Sequence, residues 1–120
     1  MFRAGSVSYL ELPAIDIKAL ADFYESIFGW QIKSERRGSF SDGSGHVIGH
    51  FVPDLDVSGA AGPRPFIYVE GIDDVLDAVA ASGGEIVSPK FVEGEGLWVA
   101  TFRDPSGNVM GVWQLIPDRQ

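Results

Sequence analysis

His46 and His50 are the only histidines in the chain, four residues apart, and cysteine is absent. On a helix that spacing would put both imidazoles on one face, as helical zinc motifs do. Gly45 and Gly49 argue for a strand instead, where four residues span about 13 Å at ~3.3 Å each. Two ligands of one ion stand only a few ångströms apart, so this pair does not share a metal. Both histidines read as polar residues at strand ends. The lack of cysteine removes a thiolate metal site, a disulfide framework and a cysteine nucleophile. Glu11, within Tyr9-Leu10-Glu11-Leu12, remains as the candidate general acid or base. A carboxylate enclosed by aromatic residues is costly unless paired or protonated, and a group held that way suits proton transfer. The plainer alternative leaves Glu11 wet at a strand end. No set of nucleophile, base and orienting group is apparent.

The elements that position these residues occur twice. The phrase Phe40-Ser41-Asp42-Gly43-Ser44-Gly45-His46-Val47-Ile48-Gly49-His50-Phe51 recurs as Phe102-Arg103-Asp104-Pro105-Ser106-Gly107-Asn108-Val109-Met110-Gly111-Val112-Trp113, at a constant offset of 62. Earlier in each half, Tyr9-Leu10-Glu11-Leu12-Pro13-Ala14-Ile15-Asp16 lines up with Phe66-Ile67-Tyr68-Val69-Glu70-Gly71-Ile72-Asp73 at an offset of 57. A repeat sets the architecture before any single residue is interpreted.

Val7 to Leu12 alternates as a strand with two different faces. Asp16 is a predicted N-cap, followed by Ile17, Leu20, Phe23, Tyr24 and Ile27 at helical spacing, and Gly29 ends that helix. Strands are predicted from Trp30 to Lys33 and on either side of a turn at Asp42-Gly43-Ser44-Gly45, the second of these running from His46 to Val52. The second half predicts a strand at 66–70, a helix at about 73–82 and strands near 85–92, 97–103 and 108–115. Its Asp104-Pro105-Ser106-Gly107 suits a type I turn. Each half is β-α-β-β-β: module one covers about 1–53 and module two about 65–120, with a Gly- and Pro-rich linker over 54–64.

The chain has 120 residues, 45% of them hydrophobic, which suits one small globular domain, α+β by its element order, or two very small modules sharing one core. Its net charge of −8 argues against a nucleic-acid partner. No run approaches the ~18 apolar residues of a membrane span, and Met1-Phe2-Arg3 leads straight towards a strand rather than into a signal peptide. A cytoplasmic protein with no membrane partner is therefore expected.

Paired βαβββ modules are the plan of the vicinal oxygen chelate superfamily, which this chain resembles over nearly its whole length. Leu10-Glu11-Leu12-Pro13-Ala14, Phe23-Tyr24 and Phe28-Gly29-Trp30 look like the opening of its glyoxalase/bleomycin-resistance branch. Asp104-Pro105-Ser106-Gly107-Asn108 and Gly111-Val112-Trp113 look like its closing phrase. The resemblance implies two modules forming a partly closed eight-stranded barrel-like cleft, with helices outside and a ligand cavity inside. It also implies a commonly dimeric protein, so a homodimer is expected. Metal-using members hold a divalent ion with His, Gln or Glu from the first and last strands of each module. Carried over, those positions fall on Tyr9, Phe66, Gly49 and Gly111. Gly and Phe offer no donor atom, and a neutral phenol is a poor ligand, so no metal and no other cofactor is expected.

Alternation assigns Tyr9, Glu11, Phe66, Tyr68 and Glu70 to the cavity from the first strands. From the last strands it adds Val47, Gly49 and Phe51, and Val109, Gly111 and Trp113, so that His46 and His50 alternate away from the cavity. The opposite face, Leu10, Leu12, Ile67 and Val69, is aliphatic and suits packing beneath helices. Aromatic walls with few polar groups describe a small-molecule site, unless the rings simply plug the barrel. Arg36, Arg37 and Lys90 could rim its opening, although solvated charges are the plainer reading. The sequence thus points to a metal-free small-molecule binding protein. The alternatives are a glyoxalase-type lyase or isomerase, metal-independent or with an atypical metal site, and an assembly module.

Overall fold

Local signals start and stop the helices. In the computed structural model, which describes residues 2–33, 38–57 and 63–117, the Asp16 carboxylate accepts a 3.1 Å hydrogen bond from the Ala19 N–H. That satisfies one of the unpaired donors of a helix N-terminus. Helix α1 (Ile17–Phe28) then runs to Gly29, whose φ of 71° is the left-handed C-cap conformation. Around it lie β1 (Tyr9–Pro13), β2 (Gln31–Ile32), β3 (Ser39–Ser41) and β4 (Ile48–Val52). The second unit repeats the order with β5 (Phe66–Tyr68), α2 (Ile72–Ala81), β6 (Glu85–Glu93), β7 (Leu97–Arg103) and β8 (Val109–Leu115). Gly71 gives α2 no side-chain cap. Gln114 serves instead: its Oε1 accepts from the Ile72 N–H at 3.0 Å while its Nε2 donates to the Glu70 carbonyl at 3.1 Å.

The protein is α+β, with two four-stranded mixed sheets ordered β1-β4-β3-β2 and β5-β8-β7-β6. In each, the first strand pairs parallel with the last, and the remaining pairs are antiparallel. The chain divides into compact units at residues 57 and 58, inside the stretch read as a linker; residues 58–62 of that linker lie outside the described residues. Among the described residues no helix is long and apolar enough to cross a membrane.

Each unit buries its helix against one sheet face. In the first, Leu20, Ala21, Phe23 and Tyr24 are buried on α1. Tyr24 stacks on Trp30 (centroids 4.4 Å), Trp30 on Phe40 (4.8 Å), and Phe40 meets Phe51 (4.8 Å). In the second, Ile72 and Val79 of α2 are buried, as are Ala100, Phe102, Met110 and Val112 of the sheet. Each large ring removed from water this way contributes on the order of 2–3 kcal/mol.

Candidate functional site

In the second unit the sheet face away from α2 carries a cavity of about 290 Å³ lined by Phe66, Glu93, Leu97, Val99 and Trp113. The register explains the grouping. Phe66 pairs with Gly111, and Tyr68 and Val99 both pair with Trp113. Tyr68 meets Trp113 edge-on, with centroids 4.9 Å apart. Gly111 has a specific job: a Cβ there would overlap the Phe66 ring, so the missing side chain lets that ring lie against the β8 backbone. Phe66, Tyr68, Gly111 and Trp113 therefore share a face as their alternation predicts. Glu70 stands beyond the end of β5, exposed, with its carbonyl engaged by Gln114. Sequence reasoning passed over Leu97, Val99 and Glu93, although the alternation Leu97-Trp98-Val99 beside Trp113 was the signal that could have found the first two.

The first unit departs from the repeat. Tyr9 and Glu11 lie on the open face of β1, but Gly49 and Phe51 do not join them. Both are buried on the side of Leu12, Phe40 and α1, where Phe51 closes the aromatic pile. A Cβ on Gly49 would overlap the Leu10 carbonyl and come within 2.8 Å of the Phe40 ring, so this glycine lets strands pack rather than opening a cavity. The cause is the turn before β4. Between the paired Ser41 and Ile48 lie residues 42–47, one more than the 104–108 between Arg103 and Val109. One extra residue reverses which side chains face which side of a strand. The same reversal corrects the expectation for the histidines. His46 stays in the exposed turn, while His50 comes to the face of Tyr9 and Glu11. There Tyr9 Oη and His50 Nδ1 share a 2.6 Å hydrogen bond, and His50 Nε2 stands 3.8 Å from Glu11 Oε2.

These residues do not fit a divalent ion at the positions the family uses. Phe66 lies over Gly111, and the Tyr9 hydroxyl is engaged by His50. With the turn taken into account Ile48 rather than Gly49 stands beside Tyr9, and it has no donor atom either. Among the described residues no three His, Cys, Asp or Glu side chains group closely enough to hold a metal. Lys90 does not rim an opening: it reaches Asp73 at 3.1 Å and lies 4.3 Å over the Trp98 ring, tying β6 to α2. Arg36 and Arg37 lie outside the described residues.

A family model described as the Glyoxalase/Bleomycin resistance protein/Dioxygenase superfamily matches residues 6–112. CFP32, a provisionally named glyoxylase of Mycobacterium tuberculosis, is 27% identical, covering 94% of this chain and 47% of its own length. The anthracycline biosynthesis protein DnrV of Streptomyces peucetius is 29% identical, covering 94% of this chain and 48% of its own. The chain thus spans about half the length of these curated relatives. Among solved structures, a glyoxalase/bleomycin resistance protein/dioxygenase family enzyme of Burkholderia phytofirmans superposes with a TM-score of 0.74 at 17% identity. That match covers 91% of this chain and 98% of the other, and it shows a shared fold.

Proposed function

The chain belongs to the glyoxalase/bleomycin resistance protein/dioxygenase superfamily, and from that premise we propose that it binds a planar or amphipathic small molecule without a metal ion. The observation that carries this reading is the cavity of the second unit, floored by Phe66, Leu97, Val99 and Trp113 with Glu93 as its one charged residue. Its volume of about 290 Å³ falls just short of the ~300–1,000 Å³ typical of small-molecule sites. Apolar rings provide stacking area for a flat ligand, and Glu93 favours one carrying a positive charge. The relative named for anthracycline biosynthesis supports a planar aromatic class, since anthracyclines are flat and polycyclic. The donor-poor residues at the family's ligand positions support binding that needs no ion.

Titration with doxorubicin, a flat anthracycline carrying an amine, tests the reading through quenching of tryptophan fluorescence. Saturable binding is expected. Trp113→Ala and Phe66→Ala should each weaken it by about 1–2 kcal/mol, roughly five- to thirtyfold, from lost stacking and apolar area. Glu93→Gln should weaken doxorubicin but not an uncharged anthraquinone. Binding indifferent to both ring deletions would place the ligand elsewhere and refute the proposal.

A further inference from the structure

The Tyr9, His50 and Glu11 cluster is built by β1 and β4 of the first unit. Its geometry is built by the strands. Glu11 is the direct register partner of His50, and Tyr9 lies two residues back on the same face of β1. Gly49, with no side chain to fend off Leu10, keeps β4 close enough to β1 for the contact. The Tyr9 and His50 rings meet edge-on at 71°, with centroids 5.8 Å apart. Tyr9 is 54% exposed, and the His50 and Glu11 side chains are 39% and 52% exposed. Polar contacts this wet add little to stability, because water replaces them on unfolding. They do leave Tyr9 more than half exposed and open to a ligand.

We propose that Tyr9, His50 and Glu11 form a proton-transfer site for a small molecule bearing a phenolic or enolic hydroxyl, which is held there as its anion. With the imidazole proton on Nε2, the Tyr9 O–H donates to Nδ1. The ligand hydroxyl gives its proton to Tyr9 Oη as Tyr9 passes its own to His50 Nδ1. The result is a ligand oxyanion, a neutral Tyr9 and an imidazolium. No redox partner is needed, and the charges balance. Tyr9 touches the ligand and is the catalytic residue. His50 and Glu11 are positioning residues: the imidazole takes the relayed proton at Nδ1, and the Glu11 carboxylate, 3.8 Å from Nε2, orients the ring. On the strands paired with β4, the titratable groups facing His50 are Tyr9 and Glu11 on β1. Its partner on β3, Ser39, carries no charge.

The probe is 4-nitrophenol, whose anion absorbs visible light, so its ionised fraction can be read directly against pH with the protein in excess. The expected result is that the protein lowers the probe's ionisation midpoint by about one pH unit, a tenfold change worth about 1.4 kcal/mol. Tyr9→Phe keeps the ring and removes the hydroxyl; His50→Gln removes the proton store. Each should return the midpoint to that of the free probe, and Glu11→Gln should give an intermediate value. Thermal melts of the three variants report whether the fold is kept, and the near-isosteric Tyr9→Phe keeps the test decisive if His50→Gln unfolds. A wild-type midpoint equal to that of the free probe overturns the proposal. So does a shift that survives Tyr9→Phe.

Discussion

Gly49 and Gly111 occupy matching places in the repeated phrase, yet adding one methyl to each should have opposite consequences. At Gly49 the new Cβ overlaps the carbonyl of Leu10 and lies 2.8 Å from the Phe40 ring. A carbonyl in a strand cannot rotate away, so β1 and β4 must separate or shift. Overpacking of this kind costs about 1–3 kcal/mol, offset by about 0.4–1 kcal/mol because alanine has less freedom to lose than glycine on folding. The net loss is about 1–2 kcal/mol. At Gly111 the nearest obstacle is the Phe66 ring, and Phe66 is 43% exposed and able to swing outward. Stability should then stay within about 1 kcal/mol of wild type, since the glycine offset opposes the lost ring contact. For a chain of 120 residues each kcal/mol moves the melting midpoint by roughly 4 °C. Gly49→Ala should therefore melt about 4–8 °C low, and Gly111→Ala within about 4 °C of wild type. The pocket should respond in reverse, with Gly111→Ala weakening doxorubicin about tenfold, the worth of one displaced ring contact, and Gly49→Ala leaving it unchanged. Differential scanning calorimetry and fluorescence titration on the two variants check this. Gly111→Ala melting as low as Gly49→Ala would refute the reasoning.

The two aspartates of the repeated turn differ in the same manner. Asp104, 3% exposed, accepts from the Ser106 and Asn108 N–H groups and from Asn108 Nδ2. Asp42 accepts from Ser44 and Gly45 where water can replace it. In urea denaturation Asp104→Ala should cost about 3 kcal/mol or more and Asp42→Ala about 1 kcal/mol, and equal losses would contradict the role given to burial. EDTA, nickel, zinc and manganese should each leave the melting midpoint essentially unchanged, because an ion bound only to the native state raises it by mass action. About one equivalent of metal surviving desalting, by elemental analysis, would contradict that expectation. A homodimer is expected at micromolar concentration, since among the described residues β1, β2, β5 and β6 are the end strands of their sheets; light scattering that gives the monomer mass would count against it.

What the sequence determined by itself is what local chemistry decides. Asp16 and Gly29 bound α1 because a short carboxylate reaches the first turn and glycine accepts a left-handed φ; neither depends on the rest of the chain. The face shared by Phe66, Gly111 and Trp113 was legible for a similar reason. A turn of residues 104–108 follows its own hydrogen bonds, and alternation then carries Gly111 and Trp113 to the face of Phe66. Tertiary structure decided which residues gather on the open face of the first unit. Identical residues at a constant offset imply equal turns, but the turn at 42–47 holds one residue more between its paired ends. Which residue a turn absorbs depends on how the strand beyond it pairs and packs. Here burial of Phe51 against Phe40, beneath α1, goes with the register that faces Gly49 inward. That single step took Gly49 and Phe51 out of the predicted cavity wall. It also carried His50 to Tyr9 and Glu11, because side chains on a strand alternate and a register can change only by whole residues.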